Sequence, residues 1–242
     1  VVSGISYLSY LLKRYVFHES GTLVSGIIGG LYSSTATISV LARKSRKASE
    51  QEATEYVAAM LLAVSMMFLR FMILILIFSR EIFLSIYPYL LIMSVVSAIV
   101  GWFVHSRQKL PKDTSVESEE DDSSNPLEFK VALIFAVLFV VFTVLTHYTL
   151  VYAGTSGLNL LSFVSGFSDI TPFILNLLQN TGSVAVLIIT ACSMQAIVSN
   201  ILVNMFYALF FAGKRSKLRP WILGGFGAVI ACNLVLLLFF YL

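Results

Sequence analysis

The stretch GGLYSSTATISVLARKSRK, Gly29 to Lys47, decides how this chain folds. It stands among Leu, Ile, Val and Phe. Yet it sets two adjacent glycines before Ser33, Ser34, Thr35, Thr37 and Ser39, and it ends in a basic cluster. It reads as an ordinary spanning helix, as a loop, or as a broken segment that enters a membrane. Its surroundings narrow the choice. The 242 residues are 58% hydrophobic and 12% charged, whereas a soluble domain is roughly 45–50% apolar and about 25% charged. The apolar stretches run to ~20 residues or more, not the ~10-residue alternating segments of an outer-membrane barrel. The expected class is an all-α integral membrane protein.

Six segments meet the length of a spanning helix, ~17–25 residues: 1 to about 17, 56–78, 86–104, 129–152, 183–212 and 221–242. Two others are odd. One is Gly21–Ala42; the other is Gly157–Leu178, GLNLLSFVSGFSDITPFILNLL. Both have a centre of glycine and serine, and the second adds Asp169 and Pro172. A shift of 136 positions lays Gly21 on Gly157, Gly30 on Gly166 and Thr35 on Thr171. Each odd segment follows one spanning helix and precedes two. The expected organisation is therefore two membrane repeats, 1–106 and 128–242, each of three spanning helices and one broken or re-entrant segment. Gly29, Gly30, Gly166 and Pro172 are the expected hinges. Residues 107–127, with six acids between Asp113 and Asp122, read as a flexible acidic linker on the cytoplasmic side.

The distribution of Lys and Arg tests the odd segments, because cytoplasmic loops carry the excess of positive charge. If both segments span, eight basic residues face seven across the membrane. If both re-enter, fourteen share one side against Arg80 alone. If only the first spans the count is twelve to three, and if only the second spans it is ten to five. Symmetric re-entry gives the strongest bias. It places loops 43–47, 107–112 and 214–219 in the cytoplasm of a cell with this protein in its inner membrane. The first odd segment then enters from the cytoplasm and the second from outside, so the repeats are inverted. Transporters are often built this way, with discontinuous helices marking the binding site.

Polar residues inside the apolar segments are the candidate site. Ser33, Ser34, Thr35 and Thr37 offer hydroxyls to freed backbone groups or to an ion; the competing role is packing, with Gly26 and Gly30 as a G-x-x-x-G face. Asp169 is the acid set deepest in an apolar segment. Intramembrane carboxylates mark ion pathways, and Asp169 with Thr171 before Pro172 is also a helix-capping arrangement. Arg70, mid-helix in MMFLRFMILI, needs a partner, and Asp169 is the expected one for an ion pair or gate. Alternatively Arg70 supplies a positive site for an anion, or lies shallow and snorkels. Gln195, Ser199, Asn200 and Asn204 recur at helical spacing on one segment, with Asn200 and Asn204 assigned to the pathway. His147 and Asn233 are weaker candidates. Cys192 and Cys232 read as small packing residues. No nucleotide loop, His/Cys metal set or nucleophile–base pair argues for an enzyme or a cofactor. The metal question stays open, with oxygen ligands that suit a hard cation such as Mg²⁺.

The segment GTLVSGIIGGLYSSTATISVLARKSRK resembles the G-L-x-S-S-T-A segment of MgtC/SapB-type membrane proteins, and more narrowly the domain of unknown function that follows the MgtC domain in their longer members. SGFSDITPFILNLL and AIVSNILVN are similar to two further motifs of that domain. Family members often carry Lys where this chain has Asn204, which alters the charge of the site. The resemblance implies a link to magnesium transport or its regulation by analogy of name alone.

The expected function is a transporter or channel for a small ion, cation slightly favoured, with its pathway where two broken segments meet. The alternatives are a regulatory or scaffold subunit without transport, and an anion or organic-acid transporter using Arg70. The expected partners are the bilayer and a small ion or solute, not nucleic acid. Gly224, Gly225 and Gly227 permit association into a homo-oligomer. The start at Val1, inside an apolar stretch and without a basic leader, reads as a fragment or a reset numbering.

Overall fold

A computed structural model describes residues 21–46, 48, 50–107, 129–179, 184–213 and 218–241. The first expected spanning helix and the linker beyond Arg107 lie outside them. So do Lys47, residues 108–112 and residues 214–217 of the basic loops.

The described chain is helical: α1 Thr22–Ser45, α2 Glu50–Phe78, α3 Arg80–Ser106, α4 Phe129–Ser165, α5 Ile170–Gln179, α6 Val186–Ala212 and α7 Leu218–Tyr241. Among the described residues, six helices are long and apolar enough to cross a membrane; α5 is the shorter one. Exposed large side chains such as Ile99, Val151, Leu160 and Phe239 form the surface that lipid covers. This is an all-α, multi-pass membrane protein.

Two helices are broken inside. In α1 the break is Ser33, with extended backbone at φ −156° and ψ 108°. In a straight helix residues eight apart stand ~12 Å apart. Here a Cβ on Gly29 would lie 2.5 Å from Thr37 Oγ1. The helix axis therefore folds back at Ser33, leaving arms 22–32 and 34–45 of about 17 Å each. In α4 the break is Gly154, at φ 58° and ψ −148°, a conformation open in practice only to glycine. A Cβ on Gly157 would lie 2.7 Å from Thr149 Cγ2, again eight residues away. So 155–165 is a separate arm, and it is followed by a second interruption over 166–169 before α5.

The described residues cluster into two compact units, each gathered from separated parts of the chain. The first takes the chain up to Arg70, the segment from Leu91 through the end of α3, and Asn204–Val229. In it, Gly26 sits on the backbone of Ala59, and a Cβ on Gly30 would lie 2.5 Å from Ala63 Cα. Both pairs are 33 positions apart, so the first arm of α1 runs parallel to α2. Small residues four apart on both helices let the backbones touch, which maximises dispersion contact where no hydrophobic force drives helices together. The arm therefore begins toward the N-terminal end of α2, and Ser45 and Glu50, the last residue of α1 and the first of α2, are five positions apart in the chain. Arg43 lies over the Phe211 ring at 4.4 Å, and Arg46 lies beside Gly213, so the end of α6 joins this basic end. Helix α3 packs antiparallel on α2: Ser65 Oγ donates to the Ser94 carbonyl at 2.8 Å, Ser94 Oγ donates back to the Ser65 carbonyl at 3.1 Å, and Gly101 meets Ala58.

The second unit takes Phe71–Leu90, the described chain from α4 to Val203, and the helix from Ile230 on. Here the arm 155–165 lies along α6. Cys192 Sγ donates to Asn159 Oδ1 at 3.3 Å, Ser162 Oγ donates to Gln195 Oε1 at 3.0 Å, and Gly166 presses on Ser199. These pairs are also 33 positions apart. Ser162–Gln195 is Gly26–Ala59 moved by 136 positions, and Gly166–Ser199 is Gly30–Ala63 moved by the same amount. On the other side of α5, Asn176 Nδ2 donates to Thr143 Oγ1 at 2.8 Å, and Phe142 meets Phe173. Tyr89, fully buried, donates to Asn233 Oδ1 at 2.7 Å.

Candidate functional site

A broken helix exposes carbonyls at the end of its first half and N–H groups at the start of its second. How each unit satisfies them defines the site.

In the first unit, the Tyr32 carbonyl at the end of the first arm accepts a hydrogen bond from Arg70 Nη1 at 2.6 Å. Arg70 is 9% exposed. A guanidinium there holds the negative end of the half-helix dipole. On the other side of the break, Ser33 Oγ accepts the Ala36 N–H at 3.3 Å and caps the second arm. The remaining hydroxyls divide. Ser34 is buried, Thr35 is half-buried with its carbonyl accepting Ser39 Oγ at 2.8 Å, and Thr37 fills the fold-back against Gly29.

In the second unit the first-arm carbonyls are taken up by α6. Ser199 Oγ donates to the Phe163 carbonyl at 2.6 Å, and Asn200 Nδ2 donates to the Gly166 carbonyl at 3.2 Å. Gly166 has no room for a Cβ, which would strike Ser199 and come within 2.8 Å of the Asn200 nitrogen. Across the break, Asp169 accepts the Thr171 N–H at 2.9 Å and its Oγ1 at 2.7 Å. The carboxylate is exposed, while Thr171 is 1% exposed. Pro172 follows in the first turn of α5, where its missing N–H costs no intrahelical bond.

Several expectations are refined by this geometry. The breaks fall at Ser33 and at residues 166–169, not at Gly29, Gly30 or Pro172. Gly30 is spent on the close approach to Ala63, and Gly29 on the fold-back. Gly166 is both at a break and in a close contact. Arg70 and Asp169 belong to different units, and the contacts that describe them here are with Tyr32 and Thr171. Asn204 is fully buried on α6. The break at Gly154 has no counterpart in the sequence reading, and neither do the Asn159–Cys192 and Asn176–Thr143 bonds. A lone Gly beside an aromatic-rich helix end was the available signal for Gly154, since Tyr148 and Tyr152 stack just before it at 6.0 Å.

A multi-pass helical protein with two broken segments, each capped by a polar residue at its break, is the class these features define. The chain belongs to a family described as a domain of unknown function, DUF4010, whose model matches residues 1–212. It is also similar to an uncharacterized protein of Aquifex aeolicus (strain VF5), 25% identical over 224 residues that cover 91% of this chain and 96% of the relative. No solved structure matches it.

Proposed function

We propose that this protein is a membrane transporter or channel for a small ion, with its pathway at the tips of two broken helical segments inserted from opposite faces. One observation carries the reading. The contact register of arm on helix, 33 positions in each unit, recurs after 136 positions, together with a break that follows the arm. Arms of ~17 Å cannot cross a hydrocarbon core of ~30 Å, so each tip stops within the membrane. Irregular backbone at that depth is stable only in protein or beside water. Inverted repeats with half-helices at the midplane are a recurring plan for ion and solute sites.

A cation is favoured because the one carboxylate at a tip, Asp169, stands exposed at its break. Mg²⁺ suits hydroxyl and carboxylate oxygens, and kinship with MgtC/SapB-type proteins belongs to this proposal. The scaffold reading draws on a different observation, the Gly26–Ala59 and Gly30–Ala63 packing, which serves helix association whatever passes the tips. Ion flux into proteoliposomes separates the two. Flux lost on Asp169→Asn, in protein that remains folded, supports the pathway; no flux from the unaltered protein under any cation gradient removes it.

A further inference from the structure

Helix α6 is the most enclosed of the spanning helices, and two of its buried hydroxyls are unexplained. Thr190 is 3% exposed and Ser193 is fully buried, and neither Oγ has a hydrogen-bond partner among the described residues. A nearby carbonyl on the same helix is the usual acceptor for such a hydroxyl. Elsewhere in this chain Ser39, Ser45, Thr143 and Ser165 all use one. Leaving a buried hydroxyl unsatisfied costs about 1–3 kcal/mol, and buried water is the ordinary remedy.

The repeat register supplies a control. Ser193 falls on Val57, Asn200 on Val64 and Asn204 on Phe68, and all three of these α2 residues are fully buried. The places of Ser193, Asn200 and Asn204 in the packing are filled by apolar side chains in the first repeat, while Thr190 falls on Thr54, also a threonine. Packing therefore does not require those three polar groups in the second. Thr190, Ser193 and Asn200 lie on one helical stripe ~15 Å long, and Asn204 continues it.

We propose that this stripe is wetted, and that Thr190 and Ser193 extend the pathway from Asn200 toward the N-terminal end of α6. The proposal rests on the transport reading for what moves, not for the presence of water. Hydroxyls and carboxamides without formal charge suit an ion that keeps much of its hydration shell.

Single cysteines at Thr190→Cys and Ser193→Cys, in a Cys192→Ala, Cys232→Ala background, test this in proteoliposomes. The probe is a small membrane-impermeant methanethiosulfonate ammonium reagent, with Val57→Cys as the dry reference. Both stripe cysteines should react about tenfold faster than Val57→Cys, because thiol modification needs a solvated thiolate. Rates equal to Val57→Cys overturn the proposal. Where a variant does not fold, radiolytic hydroxyl-radical labelling of the unaltered protein replaces it. Oxidation at Met194 above that at fully buried Met60 supports water beside Ser193; equal oxidation overturns it. Labelling without ion flux would sink the transport reading and leave the wetted face standing, and flux without labelling would do the reverse.

Discussion

Arg70 and Tyr32 are joined by a hydrogen bond of 2.6 Å from guanidinium to carbonyl, at the point where the first arm of α1 ends. This use of a buried arginine is structural, since the charge holds an exposed helix end in place. Arg70→Gln keeps a donor but loses charge and reach. It should lower stability by about 1.5–3 kcal/mol, the worth of a hydrogen bond to a charged group. Arg70→Lys should recover part of it. Thermal melts in detergent check both, and an unchanged melting temperature for Arg70→Gln would show that the bond holds nothing.

Gly30→Ala and Gly166→Ala should each destabilise by about 1–3 kcal/mol, because the added methyl meets backbone or a packed side chain. Gly224→Ala is the control, since nothing lies within 4 Å of its Cβ position, and it should stay within about 0.5 kcal/mol. The same melts rank the three. A tolerated Gly30→Ala would mean that α1 and α2 are not in close contact.

Much of this architecture was readable before any coordinates. Apolar runs of ~20 residues announce spanning helices because lipid forces every backbone group to be satisfied within the segment. Asp169 and Thr171 ahead of Pro172 announced a helix start, and the cap is there. The break positions were not readable from Gly29 and Gly30, because glycine serves close approach as readily as bending. Only the contact with Ala63 tells these uses apart. Ser33 looked like one hydroxyl among five, and its role as cap depends on a backbone angle that its side chain does not announce. The partners of Ser199 and Asn200 are carbonyls of another segment, which no spacing within α6 reveals.

Asp169 has two roles that separate by substitution. As an N-cap, Asp169→Ala should cost about 1 kcal/mol, and Asp169→Asn much less because Asn caps equally well. As a cation ligand, both should abolish flux. Flux that survives in Asp169→Asn while Asp169→Ala merely lowers the melting temperature would reduce Asp169 to a cap.

The central claim is that Gly21 and the basic end of α1 lie on one side of the membrane. Single cysteines at Gly21→Cys and Lys44→Cys, in a cysteine-free background in sealed inverted vesicles, address it with an impermeant thiol reagent. The predicted result is that both react from the outside of inverted vesicles and neither reacts from the outside of right-side-out cells. Reaction of one from each side would make α1 a spanning helix and contradict the account.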